Sequence, residues 1–173
     1  MAILPIIEIP DPRLREISTP VETVDADLRT LIDDMFETMY DAPGIGLAAI
    51  QVGVAKRLLV IDLQEEEEGV KNPRVFINPL FSEPSEEEHV YSEGCLSIPD
   101  QYADVVRPES IRAQWLDRDG VAHDERIDGL LATALQHEVD HLDGIVFTDH
   151  LSRMKRDMLL KKLDKMRKQK HAA

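Results

Sequence analysis

The sequence predicts an α+β fold: antiparallel β-strands packed around a central helix, with further helices toward the N- and C-terminal ends. Three observations lead there. Apolar residues recur at helical spacing near both ends of the chain. Between them, a stretch alternates apolar and polar residues and reverses direction at Arg118-Asp119-Gly120. A third helical stretch, carrying QHEVDH, follows that reversal directly. No internal repeat and no Gly/Ser linker divides the chain, so 1–173 reads as one domain, with 151–173 its basic C-terminal helix.

The elements follow in order. In DADLRTLIDDMFETMYDAPG, Asp25 is the expected N-cap, and Leu28, Leu31, Ile32, Met35 and Met39 share one face. Pro43-Gly44 ends that helix, and its methionines read as core rather than as ligands. RLLVIDL (57–63) and RVFINPL (74–80) are short, branched, apolar runs expected as strands, with Pro79 closing the second or lying at an edge. QEEEEGVKNP and SEPSEEEH have the composition of solvated loops. Ile111, Ala113 and Trp115 alternate onto one face of a β-hairpin. Asp128 is placed to cap the next helix, GLLATALQHEVDHLDG, and Gly144 to end it. A last helix from about Leu151 carries Met154, Met158, Leu159 and Leu163 as its apolar stripe.

Composition narrows the class. The chain has 173 residues, 43% of them apolar and 31% charged, as expected of a globular protein with one buried core. No apolar run approaches the roughly 18 residues of a membrane span. The opening MAILPIIEIPDPRLR meets Glu8 and Asp11 early and resembles neither a secretory signal nor a transit peptide, so the cytoplasm is expected. With Cys95 as the sole cysteine, no internal disulfide can form, which fits a reducing compartment. The net charge of −14 is uneven: the stretch from Leu151 onward carries +7 and the remainder −21. That basic tail is either a solvated helix or a surface for a polyanion.

Chemistry concentrates in QHEVDH. Residues four apart on a helix lie on one face, so His137 and His141 can present two imidazoles to one ion. Glu138 is turned about 100° from His137, where it could reach a water at that ion without joining the ligands. The bland alternative, a charged helix face, sits poorly with Leu131, Leu135 and Leu142 on the other faces, because buried polar groups are costly unless paired. A catalytic site of this kind needs a third protein ligand. Downstream the candidates are Asp143, Asp149 and His150, and upstream Cys95 in SEGCLSIP, a stretch that reads as a tight loop. A lone cysteine is ordinarily a small buried hydrophobe. A Cys/His/His set would suit Zn or Fe(II) better than Mg or Ca. GIGLAAIQVG (44–53) lacks the phosphate-loop pattern and reads either as backbone drawn close to a ligand or as a Gly-rich turn. In the first case Gln51 could offer its amide to a developing oxyanion.

Together these stretches resemble the bacterial peptide deformylases, whose motifs are G-x-G-x-A-A-x-Q, E-G-C-L-S and Q-H-E-x-D-H. Gly44, Gly46, Ala48, Ala49 and Gln51 fill the first, Glu93 to Ser97 the second, and Gln136, His137, Glu138, Asp140 and His141 the third. The resemblance implies Cys95, His137 and His141 as ligands of one divalent metal, Fe(II) in many members, with Zn, Ni or Co in preparations. It implies hydrolysis of the N-formyl group of formyl-methionine on newly made polypeptides, releasing formate, with Glu138 as general base and acid. Gln51 and the backbone N–H of Leu96 would stabilise the oxyanion, and Ile45, Gly46 and Gly94 would border the substrate. Tyr91 and Tyr102 are further candidates for the pocket wall. Asp140 and Glu93 would support the ligands, with Arg107 as the expected counter-charge. The basic tail would then meet the ribosome. Two other readings are an internal zinc peptidase, which needs a downstream third ligand, and a formyl-peptide binder without turnover, which would be expected to show a damaged motif.

Overall fold

Asp25 opens the first helix as its position predicts. In the computed structural model, which describes residues 2–64 and 71–172, its side chain accepts the Leu28 N–H at 2.8 Å and α1 runs Ala26–Asp41. Most of the acidic QEEEEGVKNP stretch lies outside the described residues.

Five strands form an antiparallel sheet: β1 (Gly46–Ala48), β2 (Leu58–Ile61), β3 (Arg74–Ser82), β6 (Ser110–Leu116) and β7 (Ala122–Asp128), in the order β1-β2-β3-β6-β7. β2 is apolar at every position because both of its faces are covered. Leu58 and Val60 meet Ile32, Met35 and Met39 of α1. Leu59 and Ile61 meet the other core, built from Phe76, Ala113 and Trp115 of the sheet and Ala132, Leu135, Val139 and Leu142 of α2 (Gly129–Leu142). The sheet is thus held between α1 and the helix that carries QHEVDH. The expected hairpin is β6–β7, with Trp115 opposite His123 and their rings stacked at 5.2 Å.

A second sheet, β4 (Glu88–Cys95) with β5 (Ile98–Pro108), reaches α2 through Glu93, Cys95 and Arg107. Sequence reading assigns no strand to this sheet and takes SEGCLSIP for a tight loop. The SEGCLSIP segment is instead a strand end, a two-residue turn at Leu96-Ser97 and a strand start. The SEPSEEEH loop is shorter than expected, since β3 runs on to Ser82 and β4 begins at Glu88.

The last helix, α3 (Arg153–Ala172), seats Leu159 and Leu163 against Ile98 and Val105 of β5 and against Val146 and Phe147. Met154 and Met158 do not join that stripe. They are 75% and 55% exposed, because the buried apolar contacts of the helix begin only at Leu159. Asp128 occupies the N-cap position of α2, but its side chain makes no capping bond. Gly144 ends α2 with φ +75°, where an added Cβ would lie 2.5 Å from the Arg15 carbonyl oxygen, so glycine is required. No described helix is long and apolar enough to cross a membrane.

Candidate metal centre

α2 and β4 bring three ligand-bearing side chains together. His137 and His141 stand one turn apart with ring centroids at 5.2 Å, and Cys95 reaches them from the end of β4, its Sγ 3.3 Å from His141 Nε2. One donor atom from each of the three lies within 4.8 Å of the others. Among the described residues, this is the one group of His, Cys, Asp and Glu able to share an ion. The downstream candidates are engaged elsewhere: Asp143 with Arg57, Asp149 with Arg15, and His150 with Asp140.

The orientation of each ring has a cause. His137 Nδ1–H donates to Glu93 Oε1 at 2.8 Å, which leaves its Nε2 as the free donor. Glu93 in turn accepts both prongs of the Arg107 guanidinium, at 2.7 and 3.0 Å, and Arg107 also donates to Asp140 at 2.9 Å. The expected counter-charge therefore serves both carboxylates. Burial alone would raise the Glu93 carboxyl, but hydrogen bonds from His137 and Arg107 bring it down to about 2.

The electrostatics ask for a cation. Burial opposes a charge on His137, yet the Cys95 sulfur, Glu93 and Glu138 together raise its imidazole well above the ordinary value. Burial, with His137 and Arg107 nearby, holds His141 well below its usual value, as the neutral imidazole of a ligand. Two buried polar atoms, His141 Nδ1 and Glu138 Oε2, have no hydrogen-bond partner in the protein. A half-buried thiol, two buried imidazoles and a carboxylate left partly unpaired fit a borderline-soft divalent ion better than they fit each other.

Glu138 sits beside the triad, with Oε1 3.7 Å from His137 Nε2. Burial is the main influence on it and pushes its carboxyl up to about 7. Gly46 makes room for it: a Cβ there would lie 3.1 Å from Glu138 Cγ and Oε1. The bareness of GIG thus serves the glutamate as well as the space in front of it. Gln51 is buried, its Oε1 accepting the Ala48 N–H at 2.9 Å. Its Nε2 donates to Ser97 Oγ at 3.0 Å and lies 3.5 Å from Cys95 Sγ, at the edge of the triad.

A cavity of about 700 Å³ opens over the site. Ile45, Gly46, Gly94 and Leu96 line it as the motifs lead one to expect, together with Tyr91, Tyr102, His137 and Glu138. Leu130, Thr133 and Ala134 of α2 also line it, and nothing in their sequence context marks them. Sequence reading likewise misses Phe147, stacked on His137 at 6.1 Å, and places Ser97 in a motif without its contact to Gln51.

A near-neutral buried carboxylate beside a cation-demanding triad, at the floor of an open cleft, is the arrangement of a metal-dependent hydrolase. Known proteins narrow that class. A family model described as polypeptide deformylase matches residues 3–157. The peptide deformylase of Rhizorhabdus wittichii is 67% identical over 100% of both chains, and that of Zymomonas mobilis is 70% identical over 97% of each. A crystal structure of a peptide deformylase from Legionella pneumophila superposes with a TM-score of 0.90 at 46% identity, covering 99% of each chain. One from Ehrlichia chaffeensis, in complex with actinonin, gives 0.89 at 46% identity, covering 96% of this chain and 98% of that one. The chain belongs to the polypeptide deformylase family. Its members are metal-dependent hydrolases, and Cys95, His137 and His141 are the side chains here able to hold the ion.

Proposed function

We propose that this protein removes the N-formyl group from formyl-methionine at the start of newly made polypeptides, releasing formate, with one divalent ion held by Cys95, His137 and His141. The observation that carries this reading is the convergence of those three donors beside Glu138 on the floor of the cavity. A thiolate with two imidazoles suits Fe(II), and the same donors accept Zn, Ni or Co. When bound, the ion supplies Lewis acidity, lowering the pKa of water and polarising the formyl carbonyl.

The residues of the chain do the rest. Glu138 accepts a proton from the attacking water, whose oxygen bonds to the formyl carbon, and returns that proton to the nitrogen as the C–N bond breaks. Burial keeps its carboxyl near neutrality, so it can run in both directions. The Gln51 amide, at the edge of the triad, and the Leu96 N–H are the donors assigned to the developing oxyanion. Ile45, Gly46 and Gly94 align the peptide as an added strand, and Tyr91 and Tyr102 complete the wall. We take 1–173 as one catalytic unit acting in the cytoplasm. Its α3 helix carries exposed Lys155, Lys161, Lys162, Lys165, Lys168 and Lys170 toward the polyanionic ribosome.

The deciding experiment is anaerobic purification with metal analysis and a formate-release assay on a formyl-Met peptide, run beside Glu138→Ala. Turnover by the wild type and near-silence from the variant at equal metal content is the expected result. A fully loaded wild type that releases no formate overturns the reading. The zinc-peptidase alternative requires Cys95→Ala to keep its metal, whereas here that variant loses it.

A further inference from the structure

His150 plays no part in the mechanism above. It ends a 3-10 turn, Phe147–His150, between α2 and α3, with its side chain about one-third exposed (36%). Its Nε2–H donates to Asp140 Oδ2 at 2.8 Å, the same oxygen that receives Arg107 at 2.9 Å. From there the hydrogen bonds run without a break, from Arg107 to both Glu93 oxygens and from Glu93 Oε1 to His137 Nδ1. The same turn touches His137 by a second route, through the stacked ring of Phe147. The turn itself is pinned independently, since Arg15 pairs with Asp149 and donates to the Gly144 carbonyl at 3.2 Å.

We propose that His150 is a positioning residue of the metal centre, fixing Asp140 and, through Arg107 and Glu93, the orientation of the His137 ring. The inference rests on the metal site proposed above. Asp140 is a side chain that needs such a partner. Its carboxylate is about one-fifth exposed (21%), and Arg107 is its one other side-chain donor among the described residues. Without the imidazole, Oδ2 turns partly to water and the carboxylate is free to rotate about its last bond. Arg107 then loses a fixed acceptor for one prong and grips Glu93 less rigidly. The tautomer and tilt of His137 depend on that grip. Because Arg15 and Phe147 hold the turn, loss of the imidazole alone leaves the backbone in place.

The test uses the full chain loaded with Co(II), whose thiolate and ligand-field absorption reports the centre directly. Cobalt loss to excess chelator is timed for the wild type, His150→Phe and His150→Gln. Removing a direct partner of a ligand costs about 10–100-fold, and His150 acts three links beyond Glu93, so a smaller effect is expected: His150→Phe loses cobalt about 3–10 times faster, with altered ligand-field bands. His150→Gln, which can place an N–H where Nε2 stood, is expected within about twofold of wild type. Loss from His150→Phe at the wild-type rate overturns the proposal. Equal acceleration in His150→Gln also overturns it, because the ring rather than its N–H would then be responsible. A wild type that takes up no cobalt at all defeats the metal site itself, an outcome separate from either.

Discussion

Arg107→Ala tests the buried ion network most directly. The guanidinium side chain is 6% exposed and that of Glu93 5%, and the two share N–H···O contacts of 2.7 and 3.0 Å. A third contact, to the more exposed Asp140, is 2.9 Å. Hydrogen bonds to charged groups are worth about 1.5–3 kcal/mol each, and the two on Glu93 alone account for about 3–6 kcal/mol. Water replaces most of the Asp140 contact, so a loss of about 3–5 kcal/mol is expected, in line with other buried pairs stripped of one partner. That is a large share of the roughly 5–15 kcal/mol of a typical domain. Urea titration of the metal-free protein, comparing midpoints at constant slope, gives the figure. Most of the loss comes from a stranded Glu93 carboxylate, so Arg107→Ala/Glu93→Gln should recover part of it. A loss below about 1 kcal/mol, or a double variant no more stable than Arg107→Ala, would refute the reasoning.

Three further outcomes follow from other contacts. Gly46→Ala puts a methyl 3.1 Å from Glu138 Cγ and Oε1, so formate release should fall at least about tenfold while metal content stays at the wild-type level. Burial would raise the Asp149 carboxyl, but Arg15 and the Val146 N–H hold it below the usual range. Its contribution is therefore fully present above about pH 4, the unfolded value, and is lost as pH falls through the folded one. The stability gap between wild type and Asp149→Asn in urea should close on acidification from pH 6, and a gap that widens would count against the pairing. Lys161→Glu/Lys162→Glu/Lys165→Glu should weaken sedimentation with ribosomes and flatten its salt dependence while leaving formate release from a short peptide unchanged. Charge reversal is a cleaner test than truncation, because removing α3 would also strip buried Leu159 and Leu163 from the core.

What the sequence disclosed depended on whether apolar pattern and structure coincided. α1 and the β6–β7 hairpin were legible because apolar periodicity follows burial in α1 and β6. β2 was legible because its unbroken apolar run matches a strand covered on both faces. β4 and β5 were not, and the reason is chemical. Inward positions that a strand would normally fill with branched apolar residues are taken here by Glu93 and Arg107. The network that steadies His137 thus erases the alternation that would have revealed its strands. β1 has three residues, too few for any period to show. The triad was legible because ligand chemistry is written in residue types. The convergence of Cys95 on the helix was suggested by motif likeness, not by spacing, and contact was visible only once the chain had folded. Thr133 and Leu130 carry no mark in the sequence, since a wall residue needs only size and place.

The donors of the metal centre lie far apart along the chain, Cys95 at the end of β4 and His137 on α2, with 42 positions from one to the other. An ion shared between them ties off that length as a covalent bridge would. By the loop-entropy relation for a cross-link, closing a loop of that size is worth about 4 kcal/mol against the unfolded chain. Strand β5 of the β4–β5 hairpin, with Tyr102 of the cavity wall, lies inside the tied loop, and β4, with Tyr91 and Gly94, pairs with it and ends at the tie point Cys95. Stripping the ion should therefore speed amide exchange across that hairpin while β2, buried on both faces, keeps its protection. The centre is in this sense a fastener as well as a reagent: the cavity wall is strapped to the helix that carries Glu138.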